Sequence, residues 1–324
     1  MPPPGPSPAP SSTVFRDTVG WAPVAVGVVE ARGRDAVKFV DGFTTAAVSQ
    51  FAVGGGGEGF FTDARGWVLA LATILRTEAG LLVLTDPTVA ATLREHLEHY
   101  HIREQLELDD ISSSLDAVVV AGPEAAAVMA ALGVSSPPEG PAGHVTCRLG
   151  ELEARVIRRL GQGGDGYQIQ VASGLGGAVA ERLAAAGVPR GELATLEALR
   201  IESAYPAPAD IPPKTLPQEL GRDARAISFT KGCYLGQETV ARLDALGHVN
   251  RRLALVAIEA PSPPSVPAPI LHAGAEAGLL TSVCPSPRVG GPLGLGIVAV
   301  KVLTAGGLTV AGAPARLVEQ EVRP

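Results

Sequence analysis

The chain has 324 residues, a net charge of −7 and 46% hydrophobic residues, of which few are aromatic, since Phe, Trp and Tyr together make up 4%. At about 100–200 residues per domain this length accommodates two or three cores, which must be built from Ala, Val, Leu and Ile. The acidic balance supplies no global basic surface for gripping phosphates, and no run of about 18 apolar residues suggests a membrane span, so neither direct nucleic-acid binding nor a membrane partner is expected.

Met1 to Ser12 are rich in Pro, Ser and Ala and show neither a signal peptide nor an Arg-rich transit face. Residues 1–20 read as a disordered tail, and the location as cytoplasmic. Val24 to Val29 suggest a strand and Asp35 to Val40 a short helix. Trp67 to Leu75 and Leu81 to Leu84 are strand-length apolar runs joined by a hairpin connection. Asp86-Pro87 is a helix start, because Asp caps and Pro suits the first helical position; Val89, Leu93 and Leu97 then recur at helical spacing, and the helix is expected to reach about Leu106. Ala117 to Ala121 reads as a buried strand, Ser135 to Gly143 as a long loop and Tyr167 to Val171 as a half-buried strand. Helices follow at Gly177 to Ala186 and Glu192 to Ile201, then an irregular Pro-rich connection from Pro206 to Pro217. From Arg252 onward only short strands punctuated by Gly and Pro remain. The pattern is that of an α+β body followed by an all-β barrel or sandwich.

The cysteines, Cys147, Cys233 and Cys284, form no C-x-x-C pair, so no metal or protein-held cluster site is expected, and free thiols in a reducing compartment are the simplest reading. His96, His99 and His101 lie on a predicted helix, but the interleaved Glu95, Glu98 and Arg103 give them the look of a solvated face. Ser173-Gly174-Leu175-Gly176-Gly177 follows a strand and opens a helix as a dinucleotide loop does, yet Val179 stands where the third glycine belongs, which favours a plain turn. Gly54 to Gly57 lack the Lys and Ser/Thr of a phosphate loop and read as a flexible loop. The segment Lys231-Gly232-Cys233-Tyr234-Leu235-Gly236-Gln237-Glu238 is denser in chemistry. A cationic Lys231 beside Cys233 would lower the thiol pKa, while a buried, inert cysteine is equally open on chemistry alone.

That segment stands complete as Lys-Gly-Cys-Tyr-x-Gly-Gln-Glu, the signature of the YgfZ group, and the chain resembles the YgfZ/GcvT family over most of its length. Asp35 to Gly42 resemble the family's early helix, Asp63 to Val68 its K-G-R-V hairpin, Arg200-Ile201-Glu202 its R-I-E segment, and Gly278 to Ser282 the G-x-V-T-S of its C-terminal barrel. The resemblance implies a GcvT-like ring around a central folate-binding channel. It divides the chain into an N-terminal α+β subdomain (21–122, completed by about 190–245), a middle α+β subdomain (123–189) and a β-barrel (250–324). It further implies a tetrahydrofolate-binding factor, active as a monomer, whose partners are iron–sulfur proteins or their assembly factors and which supports tRNA modification indirectly. In this reading Glu202, with Arg200, Tyr234, Gln237, Glu238, Gly232 and Gly236, forms the folate-binding set, with Arg200 either structural or paired with the ligand's acidic tail and Gln237 and Glu238 fixing the loop or contacting ligand, while Cys233 is the reactive thiol and Lys231 tunes it.

Three departures qualify the match. The family's L-T-N-D is Phe43-Thr44-Thr45-Ala46 here, and Ser203-Ala204-Tyr205 follow Glu202 in place of Ala-Gly. The catalytic G-x-x-x-D-D hairpin of aminomethyltransferases is Gly66-Trp67-Val68-Leu69-Ala70-Leu71. Without a carboxylate there, aminomethyl transfer is not expected. A one-carbon transferase with a relocated acid, and a scaffold with a vestigial pocket, are the alternatives.

Overall fold

The computed structural model describes residues 14–159, 166–304 and 306–319. In chain order the strands and helices are β1 Gly20–Val24, β2 Gly27–Arg32, α1 Ala36–Asp41, β3 Gly56–Thr62, β4 Val68–Arg76, β5 Gly80–Thr85, α2 Pro87–Tyr100, β6 Glu107–Asp110 and β7 Leu115–Ala121. There follow α3 Ala125–Ala131, β8 His144–Leu149, β9 Leu152–Arg159, β10 Gly166–Ala172, α4 Gly176–Ala185, α5 Leu193–Glu202, α6 Asp223–Ala226 and α7 Gln237–Leu246. The last strands are β11 Arg251–Ile258, β12 Ala268–His272, β13 Ala275–Ser286, β14 Gly291–Ala299, β15 Leu308–Val310 and β16 Ala313–Val318.

The chain divides into two compact units, one made of residues 14–25 and 113–196, the other of 26–112 and 197–319. The first is an antiparallel sheet of order β1-β7-β10-β9-β8. Strand alternation turns Val118, Val120, Val156 and Ile169 to one face, where Val128 and Met129 of α3 and Val179 and Leu183 of α4 cover them. Within this sheet β7 lies between β1 and β10 and pairs antiparallel with both. Of the tail expected over residues 1–20, the part up to residue 13 lies outside the described residues, whereas Val14 and Phe15 are buried.

The second unit contains a sheet of order β3-β4-β5-β2-β6 and a closed barrel of order β11-β14-β13-β12-β15-β16. Val29, Phe61, Ile74 and Val83 pack beneath α1 and α2. The Asp86 side chain accepts the Thr88 amide hydrogen at 2.9 Å and Pro87 opens α2, so the predicted cap is present. The helix ends at Tyr100 rather than near Leu106, because His101 turns extended and the Glu104 carboxylate takes the next two amides, Ile102 and Arg103, at 3.1 and 3.0 Å. The Gly54–Gly57 run is not simply a loop: Gly56 and Gly57 begin β3. Side chains from all six barrel strands, among them Val256, Ile270, Leu280, Val298, Val310 and Ala315, fill the barrel. Phe60 and Leu71 of the sheet, Ala198 and Ile201 of α5, and Leu253, Leu295 and Ile297 of the barrel form a further shared core. Fully burying a side chain such as Phe60 is worth about 2–3 kcal/mol, so this cluster fixes the end of α5 between sheet and barrel. Among the described residues no helix is long and apolar enough to cross a membrane.

Candidate functional site

Every expected site residue falls in the second unit, in two clusters. The first is the segment Ala226–Glu238, laid over the loop that follows α1 and the tip of the β3–β4 hairpin. Backbone bonds stitch it down: Ser228 N–H donates to Thr45 O at 2.8 Å and Leu235 N–H to Gly42 O at 2.9 Å. Thr62 Oγ1 donates to Leu235 O at 2.7 Å. Thr45, one of the residues that depart from the family pattern, is fully buried; its hydroxyl donates to Ala226 O and accepts from Phe60 N–H at 2.8 Å.

Gly236 makes this docking possible. It holds φ +80° as the N-cap of α7, and a Cβ there would lie 2.4 Å from Asp63 O and 2.8 Å from Gly66 Cα. Only glycine meets both the left-handed conformation and the close approach.

Lys231 sits beneath the segment, its side chain 2% exposed. Its Nζ donates to Asp41 O, Thr44 O and Ala46 O at 2.6, 2.7 and 2.8 Å, with the Asp41 carboxylate at 3.4 Å. The three N–H donors of an ammonium are thereby matched by three carbonyls. Burial pulls the lysine pKa down, and Asp41 opposes the shift. The ammonium's hydrogen bonds are all directed into the 41–46 loop, so Lys231 anchors the segment to that loop. Nζ also lies 5.2 Å from the ring centroid of Tyr234, whose buried phenol is pushed up to about 12 by desolvation.

With Lys231 and Tyr234 turned inward, Gly232 and Cys233 are exposed, as are Phe229 and Thr230. Cys233 is therefore not the buried, inert thiol that was the open alternative; it is presented at the crest of a braced turn, unbridged. Gln237 and Glu238 occupy the first turn of α7, half-buried and exposed.

The second cluster lies where α5 ends. Arg200 donates through Nε and Nη2 to Glu197 at 2.8 and 2.6 Å, through Nη1 to Tyr205 O at 2.5 Å and Asp210 at 2.8 Å, and through Nη2 to Ser282 Oγ at 2.9 Å. A guanidinium has five N–H donors, and all are taken within the chain, which favours the structural alternative for Arg200. Its partner Asp210 is fully buried and also accepts from Thr281 and Ser282 hydroxyls at 2.6 and 2.7 Å and from Ala207 N–H at 3.0 Å. Glu202 is half-buried, and its carboxylate accepts the Ser286 hydroxyl at 2.5 Å. Sequence reasoning missed Asp41, Asp210 and Ser286. Asp210 carried one weak signal, an acid within a proline-rich connection.

The remaining candidates resolve locally. The amides of Gly174 and Gly176 donate to Asp116 Oδ2 at 2.9 and 2.8 Å, so the glycine turn before α4 is filled by the chain's own carboxylate. His96 packs against Phe43 and Tyr100, with centroids 6.3 and 5.3 Å away, while His101 bonds Glu104 O at 2.9 Å. Among the described residues no group of His, Cys, Asp and Glu is arranged to hold a metal ion.

Residues 14–231 match the model of the GCVT N-terminal domain. An aminomethyltransferase of Synechocystis is 27% identical over 208 residues, covering 64% of this chain and 56% of its own. The tRNA-modifying protein YgfZ of Colwellia psychrerythraea is 27% identical over 230 residues, 70% of this chain and 68% of its own. A mitochondrial iron–sulfur cluster assembly factor of Mus musculus is 40% identical over 84 residues, 24% of each. The chain spans 56–68% of the length of the curated relatives that it matches over most of its own length. The crystal structure of the glycine cleavage system aminomethyltransferase T from Bartonella henselae superposes with a TM-score of 0.84 at 20% identity, over 95% of this chain and 87% of that one, a likeness of fold. The chain belongs to the GcvT-like family defined by that N-terminal domain, with YgfZ-type proteins among its relatives.

Proposed function

We propose that this protein is a cytoplasmic, monomeric, tetrahydrofolate-binding accessory factor for the assembly or maintenance of iron–sulfur proteins, supporting tRNA modification indirectly. The observation that carries the reading is the Lys231–Glu238 turn: a buried lysine and tyrosine brace it, and it presents Cys233 to solvent. The names of the YgfZ and iron–sulfur assembly relatives support the client class.

The residues present fit a reduced folate. A carboxylate pairs with adjacent N–H donors, and Glu202 is such a group, fixed at the end of α5 and held by Ser286. The pterin ring presents donors of that kind. Gln237 and Glu238, at the opening of α7, supply further polar contacts. Bound folate carries one-carbon units. In this reading the chain's own part is to orient the pterin through Glu202 and to offer the Cys233 thiol to a client protein or its cluster. Aminomethyl transfer is not part of the proposal. The β3–β4 hairpin has no carboxylate from Gly66 to Leu71, and its Asp63 uses Oδ1 to accept the Arg65 and Trp67 amides at 2.9 Å each.

Calorimetric titration with tetrahydrofolate, without oxygen and with reductant, tests the folate half. Saturable binding that Glu202→Ala weakens and Cys233→Ala leaves intact is expected. Absence of binding by the wild type refutes it and leaves the scaffold alternative.

A further inference from the structure

We infer that Ser286 is a positioning residue for Glu202, so that the β13–β14 hairpin of the barrel belongs to the ligand site. The inference rests on the reading above, in which Glu202 pairs with the pterin.

Ser286 closes β13 and is 3% exposed. A hydroxyl has one proton to give and two lone pairs to receive. Here Arg288 N–H donates to Ser286 Oγ at 3.2 Å, and the hydroxyl in turn donates to Glu202 Oε1 at 2.5 Å. The main-chain donor occupies one lone pair and so helps fix the rotor that aims the proton at the carboxylate. The same turn grips the backbone of Glu202: Arg288 Nη1 donates to Glu202 O at 3.1 Å, while its Nη2 donates to Glu319 O at 3.0 Å. Carbonyl and carboxylate of one residue are thus held from one hairpin.

Ordering a rotamer-rich side chain before the ligand arrives removes a cost that binding otherwise bears, corresponding to roughly 2- to 12-fold in affinity for one side chain. The hydroxyl's contribution therefore reaches the ligand only through Glu202, and this distinguishes positioning from general support of the fold.

The experiment is a double-variant cycle read by calorimetric titration with tetrahydrofolate on the full chain: wild type, Ser286→Ala, Ser286→Thr, Glu202→Gln, and Ser286→Ala combined with Glu202→Gln. Ser286→Ala weakens binding about 5- to 10-fold within the range set by side-chain ordering. Ser286→Thr, which keeps the hydroxyl, restores it. Ser286→Ala produces no further loss once Glu202→Gln is present. Should Ser286→Ala fail to fold, Ser286→Cys, near-isosteric with a weaker donor, replaces it throughout. Unchanged affinity in the Ser286 variant, or an equal loss in both backgrounds, overturns the inference while the folate reading stands. A wild type that does not bind overturns both.

Discussion

Replacing Lys231 by methionine removes the charge and the three donors while keeping the length of the side chain. The structure shows what is then stranded: the carbonyls of Asp41, Thr44 and Ala46, which Nζ now reaches at 2.6–2.8 Å, around a side chain only 2% exposed. Hydrogen bonds to charged groups contribute about 1.5–3 kcal/mol each, so three give about 4.5–9 kcal/mol. Dispensing with a buried ammonium returns several kcal/mol of that sum, and the net loss settles at about 3–5 kcal/mol, as when a buried charged pair loses one member. For a unit of this size, at about 2–4 °C per kcal/mol, the melting temperature of the second unit falls by about 6–20 °C. Thermal unfolding followed by circular dichroism measures the global effect. Hydrogen exchange locates it, since the Ser228 and Leu235 amides that donate to Thr45 O and Gly42 O lose protection first. A melting temperature within about 1 °C of wild type, with those two amides still protected, refutes the view that Lys231 anchors the turn and returns it to the role of tuning Cys233.

The remaining predictions concern the same framework. Gly236→Ala, which forces a Cβ to within 2.4 Å of Asp63 O at φ +80°, lowers stability by at least about 1–2 kcal/mol and deprotects the Lys231–Glu238 turn in hydrogen exchange. Arg200→Lys offers three donors where five are used, costs about 2–4 kcal/mol in urea unfolding through the stranded Asp210, and gives no such loss if the arginine serves a ligand instead. In an alkaline absorbance titration of the four tyrosines, one ionises at about 12, and Tyr234→Phe removes that component. Because the folded-state value lies above the unfolded value of about 10, the folded chain holds this proton more tightly, and stability declines as pH rises from about 10 through about 12. Phenylalanine at this position abolishes that part of the decline.

How much of this was legible depended on where the partners lie in sequence. α2 announced itself through Asp86-Pro87 and the Val89, Leu93, Leu97 stripe, and β4 and β5 through apolar runs on either side of a short connection, because these signals are local. β3 was hidden by its glycines: Gly57 leaves room for the Phe51 ring, 2.9 Å from where a Cβ would stand, and Gly59 for the Thr44 hydroxyl at 2.4 Å. Neither contact is written near residue 57. The site shows the same limit. The density of reactive groups from Lys231 to Glu238 marked the segment, and the family resemblance named it. The fate of the Lys231 charge was not readable, because its partners are backbone carbonyls 185–190 positions away and carbonyls have no letter in a sequence. The partners of Arg200 were unreadable for a related reason, since its five acceptors are scattered from Glu197 to Ser282.

The most direct test of the central claim, that the braced turn exposes Cys233 for work on iron–sulfur proteins, is complementation of a bacterium lacking its own YgfZ-type protein. The readouts are the activity of its iron–sulfur enzymes and the level of thiolated tRNA. The account predicts that the wild-type chain restores both, and that Cys233→Ser restores neither although it melts at the wild-type temperature and binds tetrahydrofolate as before. Full restoration by Cys233→Ser, or none by the wild type, contradicts it.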